Sequence, residues 1–147
     1  MLSGRLAVQV QATTQRPAQA FSAGFELRGD SAQGELRLLS PLGTTLASAR
    51  WAPGQASLTT PAGTAQFADL DMLSREALGE SLPLAALNDW LRGRPWPAAA
   101  FEPTAAAPGF AQLGWRLDLS NFSAGALLAQ RDEAPAVTVR VRLDLDS

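Results

Sequence analysis

Covalent chemistry has few residues to work with here: the 147-residue chain contains no cysteine and no histidine, and all twelve of its basic residues are arginine. Structural zinc sites, thiol nucleophiles, Ser-His-Asp triads and the lysine-bearing phosphate loop are thereby excluded. The carboxylates of Glu26, Glu35, Asp69, Asp71, Glu76, Glu102, Asp118, Asp132 and Glu133 are scattered. No pair among them lies in an apolar setting that would split two pKa values for acid–base work. No catalytic residue, metal site or cofactor is therefore assigned. What remains is apolar chemistry, and it concentrates between Leu36 and Trp51, where two strand-like arms flank Pro41-Leu42-Gly43. Pro41 presets its own φ and lacks a donor, and Gly43 permits a positive φ, so this is a turn. Turn tips face water, so Leu42 either folds back onto the core or points outward for a partner.

Composition bounds the classes that could use such a feature. The length fits one domain spanning 1–147, and a 46% hydrophobic content supplies a sizeable core. A net charge of −2 with no basic stripe disfavours nucleic acid as a partner. No run of about 18 apolar residues could cross a bilayer as a helix, and no signal peptide is visible.

The elements that must position Leu42 read mostly as strands. Leu6, Val8 and Val10 alternate with Arg5, Ala7 and Gln9; Phe21, Ala23, Phe25 and Leu27 alternate with Ser22, Gly24, Glu26 and Arg28. Strands over 34–40, 44–51, 55–60 and 64–67 are separated by turns about every ten residues, the cadence of an antiparallel meander. At Asp69 the period changes. Asp69 can cap a helix whose Leu70, Leu73, Ala77 and Leu78 share a face, with Gly79 as its stop. A second helix follows Pro83, with Leu84, Leu87, Trp90 and Leu91 at helical spacing until Gly93. The pair, over about 69–93, suits a lid on the dry face of the sheet. The connector over 94–112 receives no assignment. Beyond it, Leu113, Trp115, Leu117 and Leu119 alternate as a strand, 121–125 is turn-like, and Val137, Val139, Val141, Leu143 and Leu145 face inward on the last strand.

Several features then stand in order: Gly4-Arg5-Leu6-Ala7-Val8, Phe25, Leu36-Arg37-Leu38, Ser40-Pro41-Leu42-Gly43, Leu82-Pro83-Leu84, Trp90-Leu91-Arg92-Gly93 with Pro95, and Gly114-Trp115. This ordered set resembles the LolB family, the outer-membrane lipoprotein receptors of Gram-negative bacteria, over nearly the whole chain. The resemblance implies a mainly β fold with some α: a half-open antiparallel β-barrel of the LolA/LolB kind, covered by short helices over an apolar cavity. It implies a monomer on the periplasmic face of the outer membrane that receives acylated lipoproteins from a LolA-like periplasmic carrier and passes them to outer-membrane lipid. Family members are anchored by an acylated N-terminal cysteine, absent here, so a leader is expected to have preceded this chain. By the same resemblance Leu42, held by Pro41 and Gly43, is the membrane-inserting residue.

The residues themselves agree with such a cavity. A one-sided curved sheet rich in Leu, Val, Phe and Trp under two amphipathic helices is what acyl chains need, and Phe25, Leu27, Leu38, Leu87, Trp90, Trp115 and Leu117 are the expected lining. Each methylene moved out of water is worth about 0.8 kcal/mol. Since the donor and the membrane also shelter the chains, only differences between hosts would drive transfer, and no nucleotide is needed. Two other readings stay open: a lipocalin-like carrier of a small apolar ligand, favoured by a buried Leu42, and an interaction domain with a filled core.

Overall fold

The computed structural model describes residues 2–78, 83–104, 108–133 and 136–144. In chain order the strands and helices are β1 (Leu2–Val10), β2 (Gln19–Gly29), β3 (Gly34–Leu39), β4 (Thr45–Ala52), β5 (Gln55–Thr60), β6 (Gly63–Phe67), α1 (Leu70–Leu78), α2 (Leu84–Trp90), β7 (Phe101–Pro103), β8 (Gly109–Gln112), β9 (Trp115–Asp118), β10 (Ala126–Arg131) and β11 (Val137–Leu143). A single 3-10 turn, Phe122–Ala124, precedes β10. The strands form one sheet in the order β6-β5-β4-β3-β2-β1-β11-β10-β9-β8-β7. Mostly strand, with two short helices, the chain has the fold class expected from its sequence. It divides into two compact units, 1–3 with 24–96, and 4–23 with 97–147.

In the first unit the rest of β2 continues through β3 to β6 as an antiparallel meander. Register places Leu27, Leu36, Ala49, Leu58 and Ala65 in one cross-strand row, and Arg28, Glu35, Arg50, Ser57 and Gln66 in the next, on the opposite face. Phe25, Leu27, Ala49, Trp51 and Ala56 are buried. Burying each large apolar side chain is worth about 1.5–3 kcal/mol. Every residue of β3 is half-buried, and its outward Glu35 and Arg37 are ion-paired with Arg50 and Glu26. The Trp51 indole donates to the Asp30 carbonyl at 2.8 Å and lies across Gly34, where an added Cβ would come within 2.8 Å of it.

Asp69 caps α1 as its position predicts: its Oδ1 accepts from the Met72 amide at 2.9 Å. Leu70 and Leu73 turn inward, and α1 packs against β5, β6 and α2. The side chains of Ala77 and Leu78, and the expected stop at Gly79, lie outside the described residues. α2 buries Ala86 and Trp90, followed by Leu91. Its end is tied down by the Arg94–Asp89 ion pair at 2.8 Å and by Arg92, which donates to the Gly29 carbonyl at 2.9 Å.

In the second unit β1 pairs with β11, β11 with β10, β10 with β9, β9 with β8 and β8 with β7. One cross-strand row carries Val8, Val139, Ala129, Leu117 and Phe110, all buried. One sequence expectation is corrected here. Leu113 does not continue the β9 alternation. With φ 57 beside Gly114 at φ 83 it forms a two-residue hairpin turn between β8 and β9, and Gln112 takes the buried place. The unassigned connector supplies β7 and β8, and the stretch after the 121–125 turn supplies β10. Leu145 lies outside the described residues. Among the described residues no helix is long and apolar enough to cross a membrane.

Candidate functional site

The turn between β3 and β4 is built to hold a leucine in water. Gly43 N–H donates to the Ser40 carbonyl at 2.9 Å, Ser40 N–H donates to the Thr44 carbonyl at 2.8 Å, and Thr44 N–H donates to Ser40 Oγ at 3.1 Å. Gly43 carries φ +87, which a side-chain-bearing residue would resist. These bonds close the loop, and Leu42 at its tip is 95% exposed. Of the two sequence readings, the outward one holds.

Directly below the tip the β3–β4 register slips between Leu38 and Leu39: Leu38 faces Ala47, but Leu39 faces Thr45. Leu46 is thus the extra residue of a β-bulge, and it is 46% exposed. Period two counted back from Trp51 already sets Leu46 among the outward residues with Ser48 and Arg50, a signal the sequence reading missed. Arg37 fastens the base of the hairpin, donating to Thr45 Oγ1 at 2.9 Å and pairing with Glu26 at 3.3 Å. Neither Leu38 to Ala49 nor Trp51 to Ala68 contains an ionisable side chain. The hairpin end is therefore apolar at its tip, hydroxyl-rich through Ser40, Thr44 and Thr45, and charged only behind them.

Away from that end, an open cleft of about 700 Å³ is lined by Arg28, Asp30, Glu35, Arg50, Trp51 and Gln66 among others. Two of its ions, Glu35 and Arg50, are paired with each other. Glu35 Oε2 accepts from Arg50 Nε at 2.7 Å and from Ser48 Oγ at 3.2 Å. The Arg50 hydrogen bond holds the Glu35 carboxyl below its ordinary range. Asp30 is lowered in the same direction by the Gln33 amide and then the Ala32 amide, which it accepts at 3.0 and 2.9 Å. Nothing in the cleft is left poised as a general acid or base.

The expected acyl-chain residues fall in both units, and none of them borders that cleft. In the first unit Phe25 and Leu38 are cross-strand partners. Phe25, Leu27 and Trp90 are buried at 1%, 2% and 1% exposure, and Leu38 and Leu87 are half-buried. In the second unit Trp115 and Leu117 are buried on one face of β9. Sequence reasoning missed their neighbour Arg131. It pairs across the strands with Trp115, and its guanidinium sits 5.7 Å from the indole centroid.

A family model described as Outer membrane lipoprotein LolB matches residues 1–147. Among curated relatives named Outer-membrane lipoprotein LolB, the Bordetella petrii protein is 40% identical over 134 residues, 85% of this chain and 67% of its own length. The Bordetella pertussis protein is 37% identical over 153 residues, 95% of this chain and 74% of its own. The Thiobacillus denitrificans protein is 33% identical over 130 residues, covering 85% and 67%. With the match extending along its full length, the chain belongs to the LolB family of outer-membrane lipoproteins, which is not a family of enzymes.

Proposed function

We propose that this protein receives acylated lipoproteins from a LolA-like periplasmic carrier and delivers them to the inner leaflet of the outer membrane, working as a monomeric, single receptor domain. Phe25, Leu27, Leu38, Leu87, Trp90, Trp115 and Leu117 hold the acyl chains, and Leu42 enters the bilayer. The observation that carries the reading is the 95% exposure of Leu42 on a turn closed by hydrogen bonds among Ser40, Gly43 and Thr44. A leucine costs solvation there and contributes nothing to packing, whereas an apolar environment at that tip would recover about 1.5–3 kcal/mol. The lipocalin-like reading, which a buried Leu42 and a closed cavity would favour, gains nothing from this exposure. Transfer runs downhill if the membrane holds the chains more tightly than the receptor and the receptor more tightly than the carrier.

A reconstituted assay tests this: an acylated peptide bound to the carrier is mixed with the protein and then with vesicles. The acyl group should move to the protein and then to lipid without nucleotide. Equal binding of a non-acylated peptide, or no onward delivery to vesicles, would overturn the proposal.

A further inference from the structure

The second unit carries a cation cluster that neither the acyl-chain residues nor the membrane tip explains. Arg5 on β1 and Arg142 on β11 are directly opposite in the register, so their Cα atoms lie about 5 Å apart. Like charges facing each other across a ladder are destabilising. Arg140 follows on the same face of β11, about 7 Å further along. All three are exposed, and among the described residues none enters an ion pair. Among the acids of this unit, Asp118 borders the same groove and Asp144 stands two residues beyond Arg142 in the chain. Asp118 lies two strands from Arg140 with Leu128 between, and its carboxylate accepts from the Ser120 amide at 2.8 Å. Asp132 is paired with Arg116 at 2.8 Å. The arginines open onto a groove of about 510 Å³ that also contains Ser22, Asp118, Asn121, Ala7, Ala126 and Leu128, three cations against one carboxylate.

We propose that Arg5, Arg140 and Arg142 form a binding site for the phosphate of a membrane phospholipid. Three arginines at neighbouring positions of one ladder can bring their guanidinium forks to one multi-oxygen anion more readily than to carboxylates carried by separate side chains. The surrounding Ala7, Ala126 and Leu128 suit the glycerol and the first methylenes of a lipid better than they suit an acidic protein surface. Because the protein as a whole has a charge of −2, the cluster is a local exception that steers anionic lipid to one place. The bound phosphate relieves the repulsion that the free protein carries.

Vesicles of phosphatidylethanolamine with and without phosphatidylglycerol test the site by co-sedimentation. The arginine Nε–H NMR signals of the unaltered protein are followed in parallel against soluble dihexanoyl-phosphatidylglycerol, inorganic phosphate and polyglutamate. The Arg5→Gln, Arg142→Gln double variant should bind phosphatidylglycerol vesicles about tenfold more weakly, with an unchanged or raised melting temperature. Removing the same charge at Arg28 and Arg75 should have little effect, and the Arg5, Arg140 and Arg142 signals should shift with the short-chain lipid. Equal loss from the Arg28 and Arg75 changes would overturn the site in favour of diffuse attraction. So would signals that respond to polyglutamate but not lipid, or to inorganic phosphate as strongly as to lipid. Because the short-chain lipid arm needs neither membrane insertion nor acyl transfer, its result does not depend on the delivery role proposed for Leu42.

Discussion

Arg37 donates to Thr45 Oγ1 at 2.9 Å across the hairpin that carries Leu42, so a residue of β3 holds the first residue of β4 at the place where the register slips. The same guanidinium pairs with Glu26 on β2. The exposed tip is therefore mounted on three strands. Thr45→Val should lower the unfolding free energy by no more than about 1 kcal/mol while speeding amide exchange at Gly43 and Thr44. Unchanged exchange at those two amides would show that the turn's own hydrogen bonds suffice.

At the tip itself, Leu42→Glu should leave folding and acyl-peptide uptake nearly intact and block delivery to vesicles. Nothing within the protein depends on that side chain, which is 95% exposed, whereas a carboxylate entering lipid bears a cost of several kcal/mol. Normal delivery by this variant in the reconstituted assay would remove the insertion role. Leu46→Glu, with a residue 46% exposed on the bulge, should weaken delivery to a lesser degree.

Most of the first unit was legible in the sequence because its strands carry one dry face and its turns carry Pro and Gly. Phe25, Leu27 and Trp51 are buried where period two places them, and Asp69 caps the helix it precedes. The second unit was harder to read for local reasons. Leu113 looks like the first member of an apolar alternation, yet it occupies a positive-φ turn position that Asn or Asp usually marks. Only Gly114 hinted at the turn. β7 and β8 are short and sit in a stretch rich in Ala and Pro, which carries little periodic signal. The exposed setting of Leu42 was not decidable from its neighbours, because a Pro-Leu-Gly turn is compatible with either direction. The stacking of Arg131 on Trp115 arises from β10–β9 register, which no spacing within either segment encodes.

Glycine at position 34 is required by the indole beside it. A Cβ there would fall 2.5 Å from the Arg28 carbonyl oxygen and 2.8 Å from Trp51 Cζ2, and the backbone oxygen cannot move aside without breaking the β2–β3 ladder. Gly34→Ala should destabilise the protein by about 1–3 kcal/mol. It should also alter the Trp51 emission, because the indole loses its 2.8 Å bond to Asp30. A urea denaturation curve superposing on that of the unaltered protein would show that the clash is absorbed elsewhere.

The acid side of the stability profile follows from Glu35. Its carboxyl is lowered from 4.5, chiefly by the Arg50 hydrogen bond. A group whose folded pKa lies below its unfolded value contributes stability above the unfolded pKa and loses it as pH falls through the folded one. Asp30 and Asp118, lowered from 3.8 by hydrogen bonds from Gln33 and from Ser120 respectively, act in the same direction. All three are solvated, so each contribution is small. Stability should be flat above about pH 5 and fall below pH 4.5 and again below 3.8. In Glu35→Gln the first of these losses should shrink, because the neutral amide cannot be protonated in that range and the Arg50 partnership is already weakened at every pH. Thermal melts at a series of pH values decide the matter: parallel profiles for the variant and the unaltered protein would mean that the Glu35–Arg50 contact adds no net stability.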